Sequence, residues 1–295
     1  MVILADAGST KIDWLILDKN KDITIKTDGI NPAVMTQSQI SDILQRELRP
    51  LLLENGVMDS VNSKTNPENN IEVHYYGAGC TPPNIPKMKT MLHEIFGQDA
   101  KIEVESDLTA AARALFGNNK GIACILGTGS NSGLYDGQHI VYKVPAMGYI
   151  LGDEGSGAVL GRLFLNALYK GRLPEELLRK FETQFSTTLD DIISNVYHGS
   201  SPSKFLASTS VFIARHLDIK QVEDIVIDNF RSFFRNNIKH YSHPELEVGI
   251  AGSIASIYHE QLMAAADMED IRIRMILKSP SERLAAFHKM EVNRV

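Results

Sequence analysis

Two turns rich in Gly, Ser and Thr are the features of this chain most able to do chemistry. Each lies between two strand-like segments, so its small side chains leave the backbone N–H groups free to converge on an anion such as phosphate. One such turn is an ordinary strand connection, but two in matching positions favour phosphate binding. The predicted contacts at these turns are Gly8, Ser9, Thr10, Lys11, Thr128, Gly129 and Ser130.

An acidic side chain comes just before the first turn. Asp6 would repel a phosphate unless a divalent cation separated the two, and Mg²⁺ is the hard cation expected there, bound to Asp6 through water. The alternative is that Asp6 only caps its own turn through backbone amides.

A second carboxylate, Asp107, ends one predicted strand and opens a helix. A short strand–helix–strand return would bring it towards the second turn. Phosphoryl transfer needs one carboxylate that accepts the proton of the attacking hydroxyl, and Asp107 is the candidate for this general base. The purely structural alternative is that Asp107 is the N-cap of the helix.

The segment from Gly148 to Ser156 places two acids in a turn before a long helix. Its Asp153 could accept hydrogen bonds from the vicinal hydroxyls of a sugar, while Gly152 and Gly155 indicate a close approach of the backbone to a neighbour. Asp153 could equally be an N-cap. Asn31, in the loop after the third strand, is another group able to contact hydroxyls, although it could simply form a turn.

A third glycine-containing turn follows the predicted strand at residues 248–251. It leads directly into a helix, an arrangement that suits a nucleotide phosphate, or a ribose and base packed on glycine. Gly252 and Ser253 are the predicted nucleotide contacts here, and a plain strand-to-helix turn is the alternative.

These residues must be positioned by alternating strands and helices. Residues 2–28 predict a three-strand meander, and a helix is predicted over 36–55 with a kink or restart at Pro50. The three-strand pattern starts again at residue 121, with Gly8–Thr10 and Gly129–Asn131 at matching places. This repeat predicts two α/β lobes in which parallel strands are joined by crossover helices. Residues 154 to 245 are predicted to be mostly helical.

Composition limits the possible partners and surroundings. The net charge is −6 and no basic run is interleaved with aromatic residues, so nucleic acid is not an expected partner. No window holds about 18 uninterrupted apolar residues, which leads us to expect no membrane association and a cytoplasmic location. Cys80 and Cys124 are expected to be buried thiols in a reducing compartment. The nine His form no metal-binding pair, so zinc catalysis is unsupported.

Taken together, the motifs resemble those of the actin-like ATPase superfamily of sugar kinases, Hsp70 and actin. The two phosphate motifs and the adenosine motif of that superfamily look like residues 6–10, 126–132 and 248–253 of this chain. Within it, the sequence is most similar to the N-acetylglucosamine kinase and BadF/BadG-type ATPase family, because the second turn is followed about twenty residues later by the Gly-Asp-Glu-Gly-Ser segment that starts at Gly152. The first loop departs from the run of glycines in many relatives, so its contacts with phosphate are expected to differ.

The resemblance implies roles for particular residues. Asp107 matches the base that deprotonates the sugar 6-hydroxyl. Sugar contacts are implied for Asn31, Asp107, Gly129, Asp153 and the Gly148 backbone, and nucleotide contacts for Thr10, Thr128 and Gly252. The implied activity is ATP-dependent phosphorylation of N-acetylglucosamine or a close amino sugar, with Mg²⁺, in a homodimer.

The resemblance also implies the architecture. Two actin-like (ribonuclease H-like) lobes are expected, each with a mixed five-stranded sheet and flanking helices, and with nucleotide and sugar in the cleft between them. The expected boundaries are 1–112 and 113–280, with a closing helix at 281–295 that returns to the first lobe.

Two other functions stay open from the sequence. One is an ATPase that activates a 2-hydroxyacyl-CoA dehydratase, which in that related group requires an iron–sulfur cluster held between subunits by cysteines; Cys80 and Cys124 would have to serve. The other is a sugar sensor without catalysis. The zinc-containing ROK sugar kinases need a cluster of cysteines with a histidine, which two well-separated cysteines cannot supply.

Overall fold

The chain divides into two compact units. The computed structural model describes residues 1–8, 11–17, 22–58 and 71–292, with side chains described as far as residue 289. The first unit comprises Met1–Ala110 together with Ser281–Val295, and the second comprises Ala111–Pro280.

The first unit is built on a mixed sheet of five strands. They are β1 (Val2–Ala7), β2 (Lys11–Leu17), β3 (Ile23–Asp28), β4 (Glu72–Gly77) and β5 (Lys101–Ser106). The order across the sheet is β3-β2-β1-β4-β5. The first three strands form an antiparallel meander, and β4 and β5 add in parallel on the other side of β1. The carboxyl ends of β1, β4 and β5 therefore meet at one edge.

The two faces of this sheet differ in polarity. Because side chains alternate along a strand, Ile3, Ala5 and Ala7 enter the main core of the unit, whereas Val2, Leu4 and Asp6 point to the opposite face. The core is covered by α1 (Gln37–Ile43), a π-helical turn (Leu44–Leu48), α2 (Arg49–Glu54) and α3 (Ile85–Phe96).

The predicted interruption at Pro50 is confirmed as a change of helix type. Pro50 lies in the first turn of α2, directly after the π-helical turn. Proline has no N–H to donate to the preceding turn and its ring crowds that turn, so a local widening lets the helix continue. Leu44, Leu48 and Leu52 stay buried in the core across this change.

Two further helices complete the first unit. α4 (Asp107–Phe116) follows β5 and leads into the second unit. α14 (Ser281–Val292) lies on the polar face of the sheet, where Ala285 packs in a small apolar cluster with Val2, Leu4 and Leu17.

The second unit repeats the topology of the first. Its strands are β6 (Gly121–Leu126), β7 (Ser130–Tyr135), β8 (Ile140–Tyr142), β9 (Val248–Ala251) and β10 (Ile273–Leu277). Their order is β10-β9-β6-β7-β8, with β6, β7 and β8 antiparallel and β9 and β10 parallel to β6. The predicted repeat of architecture is therefore confirmed.

The register of the strands corrects how the two turns correspond. The last antiparallel pairs before the turns are Ala7 with Ile12 and Leu126 with Ser130. Gly8 is therefore equivalent to Gly127, not to Gly129, because the second turn is one residue shorter.

Helices make up most of the remaining second unit, as expected for residues 154–245. They are α5 (Gly148–Leu151), α6 (Gly157–Tyr169), α7 (Glu175–Phe185), α8 (Leu189–Tyr197), α9 (Pro202–Ser208), α10 (Ser210–Ala214), α11 (Lys220–Asn236), a 3₁₀ turn (Ile238–Tyr241), α12 (Ser253–Ile257) and α13 (His259–Met268). The single helix expected after Gly252 is divided at the fully buried Tyr258, whose hydroxyl donates to the Ser210 carbonyl.

The helices carry no membrane-spanning signature. Within the described part of the chain, none is both long enough and apolar enough to cross a bilayer.

Candidate active site

Asp107 is positioned by the end of β5 and the start of α4. The cap hydrogen bond of this helix comes from its neighbour, since the Thr109 backbone N–H donates to Ser106 Oγ at 3.2 Å. The Leu108 N–H donates to Asp107 Oδ1 at 2.8 Å, a contact with the next residue and not with the amide at the capping position. The N-cap interpretation of Asp107 is therefore wrong, because Ser106 occupies that role.

The loop after β4 links Asp107 with Asn31. A side chain at Gly79 would collide with Asn31 Oδ1, so the Asn31 amide packs directly on this loop. The neighbouring Cys80 thiol is buried, which is the main reason why its pKa is raised to about 12, and the negative charge of Asp107 adds to the effect. Asn31 and Asp107 thus lie at the same edge of the first sheet.

Asn31 also forms the turn that its sequence context indicated. Its Oδ1 accepts from the Ala33 N–H at 3.0 Å, and its carbonyl accepts from the Val34 and Met35 N–H groups. These bonds fix the orientation of the half-buried amide. A turn and a ligand contact are compatible at this position.

Asp6 lies on β1 one residue before its end, directly across from Asp13 on β2. Lys11 and Lys26 pair with Asp13, at 2.7 and 3.9 Å, so the predicted phosphate contact Lys11 is held by a carboxylate. Asp6 Oδ2 accepts a hydrogen bond of 2.7 Å from the Ser281 hydroxyl. Ser9 and Thr10, which were predicted to contact phosphate, lie outside the described residues.

The carboxylate of Asp6 is a suitable ligand for a magnesium ion held through water. Carboxylate oxygen is the hard ligand that Mg²⁺ prefers, and this ion usually keeps several waters and binds substrate phosphates. Across the described ranges, no three His, Cys, Asp or Glu side chains gather in a way that could hold a metal ion by themselves. A magnesium ion at Asp6 would therefore complete its shell with water and phosphate.

In the second unit the turn between β6 and β7 is fastened to the start of α6. The Gly127 and Thr128 carbonyls accept hydrogen bonds from the Gly157 and Ala158 N–H groups, at 2.9 and 3.1 Å. These are two of the first-turn amides that a helix cannot satisfy internally. The turn is thus attached to the helix through its backbone, and the Thr128 side chain is exposed.

Asp153 lies close to the other predicted sugar-binding residues of this unit. Its carboxylate accepts backbone hydrogen bonds from Ser130 and Gly148. A Cβ atom at Gly129 would lie 3.0 Å from Asp153 Oδ2, so glycine lets the carboxylate sit against the turn. Four predicted residues, Gly129, Ser130, Gly148 and Asp153, are therefore brought together.

The environment of Asp153 raises its pKa to about 6. Burial is the largest cause, because it disfavours the charged form, and the negative charge of Glu154 adds to it. The hydrogen bonds from Ser130 and Gly148 act in the opposite direction. With two backbone donors in place, a carboxylate retains acceptor positions for further hydroxyls.

Contacts within the chain itself explain why glycine occupies the positions beside Asp153. A side chain at Gly152 would collide with the Ala146 carbonyl, and Gly155 has a φ of +78° and packs on Phe233. The close approach predicted from these glycines is confirmed, but the neighbour is the protein's own backbone and core. Asp153 itself has a φ of 53°, which is uncommon outside glycine.

Gly252 lies beside the same turn. A side chain at Gly252 would collide with the Leu126 carbonyl at the end of β6, and the Gly252 N–H donates to the Leu277 carbonyl at 2.8 Å. The Gly252 N–H therefore forms a hydrogen bond with the end of β10. The next residue, Ser253, begins α12 and is exposed.

Two residues of the site escaped the sequence analysis. Asn229, buried on α11, accepts from the Gly155 N–H at 3.0 Å and donates to the Ser156 carbonyl at 3.3 Å, which holds the loop after Asp153 in place. Ser281 contacts Asp6 from the far end of the chain. Neither lies in a motif, and only a buried asparagine within an apolar helix pattern could have drawn attention to Asn229.

A cavity of about 290 Å³ lies at the other end of the second sheet. Ile122 and Val248, at the starts of β6 and β9, contribute to its wall. Its Lys239 is paired with Glu269 at 2.8 Å, and Arg272 donates to the Pro244 and Glu245 carbonyls. It is remote from Asp153 and the turn, which follow the carboxyl ends of the strands.

Comparison with solved structures shows a likeness over the whole chain. A candidate N-acetylglucosamine kinase from Porphyromonas gingivalis is 40% identical, with 100% of both chains covered and a TM-score of 0.91. No family model matches the sequence, and no curated protein does.

More distant structures share the fold alone. A candidate N-acetylglucosamine kinase from Chromobacterium violaceum is 15% identical over 97% of this chain and 98% of its own, with a TM-score of 0.70. A non-polymerising mutant of MamK bound to AMPPNP is 11% identical over 96% and 95% of the two chains, with a TM-score of 0.51.

Proposed function

Because the chain belongs to the N-acetylglucosamine kinase and BadF/BadG-type ATPase family of the actin-like ATPase superfamily, we propose that it is an ATP-dependent sugar kinase. The observation that carries this proposal is the 40% identity over the whole of both chains with a candidate N-acetylglucosamine kinase. The proposed acceptor is the 6-hydroxyl of N-acetylglucosamine or of a close amino sugar.

The proposed sugar contacts are groups whose positions are set within their own unit. In the second unit Asp153 is half-buried and fixed by two backbone donors, so its remaining lone pairs have defined directions. A preorganised carboxylate is a strong acceptor for sugar hydroxyls. Asn31 in the first unit supplies an amide whose position is set by its own turn, and the Gly148 backbone and Gly129 complete the proposed set.

The proposed chemical step is an in-line phosphoryl transfer. Asp107 accepts the proton of the 6-hydroxyl, the hydroxyl oxygen forms a bond to the γ-phosphorus of ATP, and the bond from that phosphorus to the β-phosphate bridging oxygen breaks, releasing ADP. The helix cap supplied by Ser106 supports this role, because Asp107 does not have to serve the helix as its cap.

ATP and Mg²⁺ complete the proposal. The three glycine-containing turns, at Gly8–Lys11, Thr128–Ser130 and Gly252–Ser253, are the proposed nucleotide contacts. A bound magnesium ion would neutralise charge on the phosphates. Asp6 would hold it through water, with its carboxylate oriented by Ser281.

A coupled assay of ADP release over a panel of sugars tests the activity. N-acetylglucosamine, N-acetylmuramic acid, glucosamine and glucose should be compared with a reaction that contains no sugar. We expect N-acetylglucosamine or a close relative to raise ADP release well above the sugar-free rate. If no sugar does so, the kinase proposal is wrong.

A deoxy sugar locates the acceptor. The analogue 6-deoxy-N-acetylglucosamine keeps the ring contacts but has no 6-hydroxyl, so it should bind and compete without being phosphorylated. Phosphorylation of this analogue would move the acceptor to another hydroxyl. Calorimetry on the same panel separates a kinase from a sugar sensor, which would bind sugar without turnover.

The dehydratase-activator alternative finds no support in the thiols. Cys80 and Cys124 are free and buried, and Cys124 lies inside β6. Burial raises the pKa of each thiol, which opposes the thiolate form that ligates iron. Anaerobic reconstitution that yields no cluster absorbance would exclude this alternative.

We also propose a cytoplasmic location and a homodimeric state for this protein. Buried free thiols suit a reducing compartment, which supports the cytoplasm. The expected homodimer is tested by sedimentation of the purified protein.

A further inference from the structure

The loop that carries Asp153 has an unusual backbone conformation. Asp153 and Gly155 have φ angles of 53° and 78°, so two residues of the segment 153–156 lie in the left-handed region. Glycine enters this region freely, whereas the Cβ atom of Asp153 disfavours it. A residue persists in such a conformation only where the surrounding structure fixes it. Contacts around residues 153–156 must therefore hold this segment in place.

Hydrogen bonds hold the segment on both sides of Asp153. On the amino-terminal side, the Asp153 N–H donates to the Ala146 carbonyl at 2.9 Å. On the other side, Asn229 on α11 accepts from the Gly155 N–H at 3.0 Å and donates to the Ser156 carbonyl at 3.3 Å. Gly155 and Ser156 are both buried, so the Gly155 N–H would lose its acceptor away from water if the Asn229 amide were removed.

Asn229 is an exception on its own helix. It is 1% exposed, and the other buried residues of α11 are all apolar. Burying an amide costs free energy unless the amide is hydrogen-bonded, and here both ends of the amide bind the loop. An apolar side chain would serve the packing of α11 as well. The contacts with the loop therefore explain why asparagine occupies this position.

The position of the Asp153 carboxylate depends on the same stretch of main chain. Its two backbone donors, Ser130 and Gly148, belong to other segments, so they reach the carboxylate only while the main chain of Asp153 stays in place. Changing a side chain next to Asp153 leaves these donors where they are. Loss of the Asn229 amide instead frees the main chain, and a return of φ to the ordinary region would move the carboxylate away from the turn.

Two further asparagines at the end of α11 contact this loop in a different way. Asn236 and Asn237 donate to the Glu154 carboxylate, at 2.9 and 3.4 Å. These bonds hold a side chain, and Asn236 is exposed. Of the three asparagines, Asn229 is the one that holds the backbone.

We propose that Asn229 is the positioning residue for Asp153, and that its buried amide keeps residues 153–156 in the conformation in which Asp153 accepts hydrogen bonds from sugar hydroxyls. This inference rests on the proposed function, in which Asp153 binds the sugar. Because Asn229 is buried, it acts through the loop and not by contact with the sugar.

Steady-state kinetics of Asn229→Ala with N-acetylglucosamine test the proposal. Displacing the Asp153 carboxylate cannot cost more than removing its charge, so we expect the KM for sugar to rise by about tenfold. The kcat and the KM for ATP should change by less than about twofold, since the loss falls on ground-state sugar binding. Calorimetry should show an equal loss of sugar affinity without turnover.

The split between KM and kcat separates positioning from a general loss of stability. A partly unfolded preparation contains less active enzyme, which lowers the apparent kcat and leaves KM unchanged. Asn229→Ser is a second, milder truncation, because a serine hydroxyl can donate to the carbonyl four residues earlier in the helix. It should raise the KM for sugar as Asn229→Ala does. Circular dichroism and the melting temperature verify that the variants fold.

Two matched controls lie on α11 itself. Val222→Ala truncates another fully buried side chain about two turns earlier, so it should lower the melting temperature and leave the KM for sugar unchanged. Asn236→Ala removes an amide that contacts the same loop only through the Glu154 side chain. Its KM for sugar should also equal that of the wild type.

Three results would overturn the proposal. One is a KM for sugar in Asn229→Ala and Asn229→Ser that equals the wild-type value. Another is an equal rise of KM in Val222→Ala, which would show general loosening of α11, and the third is an equal rise in Asn236→Ala, which would assign the effect to Glu154. A wild-type protein that phosphorylates sugar while any of these results is found removes this proposal alone, whereas one that neither binds nor phosphorylates any sugar of the panel removes the proposed function as well.

Discussion

The two sheets have the same strand order, yet the polar groups at their carboxyl edges come from different places. In the first unit the fifth residue of β1 is Asp6, and in the second the equivalent residue of β6 is the apolar Ile125; all other residues of both strands are buried. The second unit instead places its carboxylate, Asp153, in a loop before α6. Repeated topology thus repeats the positions of strand ends, while the chemistry depends on the segments that follow them.

The supports of these carboxylates differ as well. Asp6 is oriented by a side chain on the closing helix, whereas Asp153 is oriented by backbone N–H groups of its own unit. Backbone donors cannot be removed by side-chain substitution, so the second unit should tolerate neighbouring changes better. The following variants test this contrast, from the largest expected effect to the smallest.

Asp107→Asn is expected to have the largest effect on turnover. Loss of a general base typically lowers the rate about 10²- to 10⁴-fold, so kcat should fall by that order while ATP binding persists. The coupled assay gives kcat, and calorimetry gives nucleotide affinity. A kcat near that of the wild type would remove Asp107 from the role of base.

Ser106→Ala is the neighbouring control for Asp107. It removes the helix cap, which should lower the free energy of unfolding by about 1 kcal/mol and leave kcat close to the wild-type value. The pair of variants separates helix capping from catalysis. Equal losses of kcat in both would show that the geometry of the turn, not the carboxylate, is responsible.

Asp153→Asn is expected to act on sugar binding. Hydrogen bonds to a charged group contribute about 1.5–3 kcal/mol, so the KM for sugar should rise roughly 10- to 100-fold. The KM for ATP should change little. Glu154→Gln is the control, because Glu154 accepts from Asn236 and Asn237 and not from the turn; an equal rise of KM in both variants would contradict a specific role for Asp153.

Gly129→Ala should have a smaller effect through the same carboxylate. The added Cβ would lie 3.0 Å from Asp153 Oδ2, which is tighter than ordinary contact and would displace the carboxylate. We expect the KM for sugar to rise severalfold. Gly127→Ala, where a Cβ meets nothing within 4 Å, is the control and should leave KM unchanged.

The pH dependence of stability provides the subtlest test. Because the pKa of Asp153 is raised to about 6 from an unfolded value near 3.9, the folded state binds more protons between these values. The contribution of Asp153 to stability should therefore fall as pH rises from about 4 to about 6. Asp153→Asn should raise the melting temperature at pH 8 and leave it unchanged near pH 4.

The same titration should be visible in sugar binding. Below pH 6 the protonated Asp153 is a poorer acceptor, so the wild-type KM for sugar should rise with acidification, and that of Asp153→Asn should stay flat. A wild-type KM for sugar that is constant from pH 5 to 8 would show that the Asp153 carboxyl does not bind the sugar.

Local pattern alone predicted most of the elements. The alternating apolar residues of β1, β2 and β6, and the glycine turns that follow, are set by neighbours in the chain, and the two five-stranded mixed sheets confirm the fold class expected from them. Pro50 marked the change of helix type because proline acts within one turn. That Asn31 and Asp107 lie at one edge of the first sheet depends on the strand order, which the folded sheet shows.

Contacts between distant parts of the chain could not be predicted in this way. The glycines at 152 and 155 indicated a close neighbour, yet a glycine does not specify whether that neighbour is a ligand, the Ala146 carbonyl or the Phe233 ring. The N-cap of α4 is Ser106 and not Asp107. Both residue types suit that position, and only the backbone direction at the end of β5 selects one of them.

By itself, the sequence determined the strands, the small-residue turns and the carboxylates that could serve phosphoryl transfer, because each depends on residues close together in the chain. Only the tertiary structure decided what orients those carboxylates. Ser281 meets Asp6, and Asn229 holds the loop after Asp153, across long separations in sequence. Such pairs form because the packing of α14 and α11 brings them within hydrogen-bond distance, and no local pattern encodes that distance.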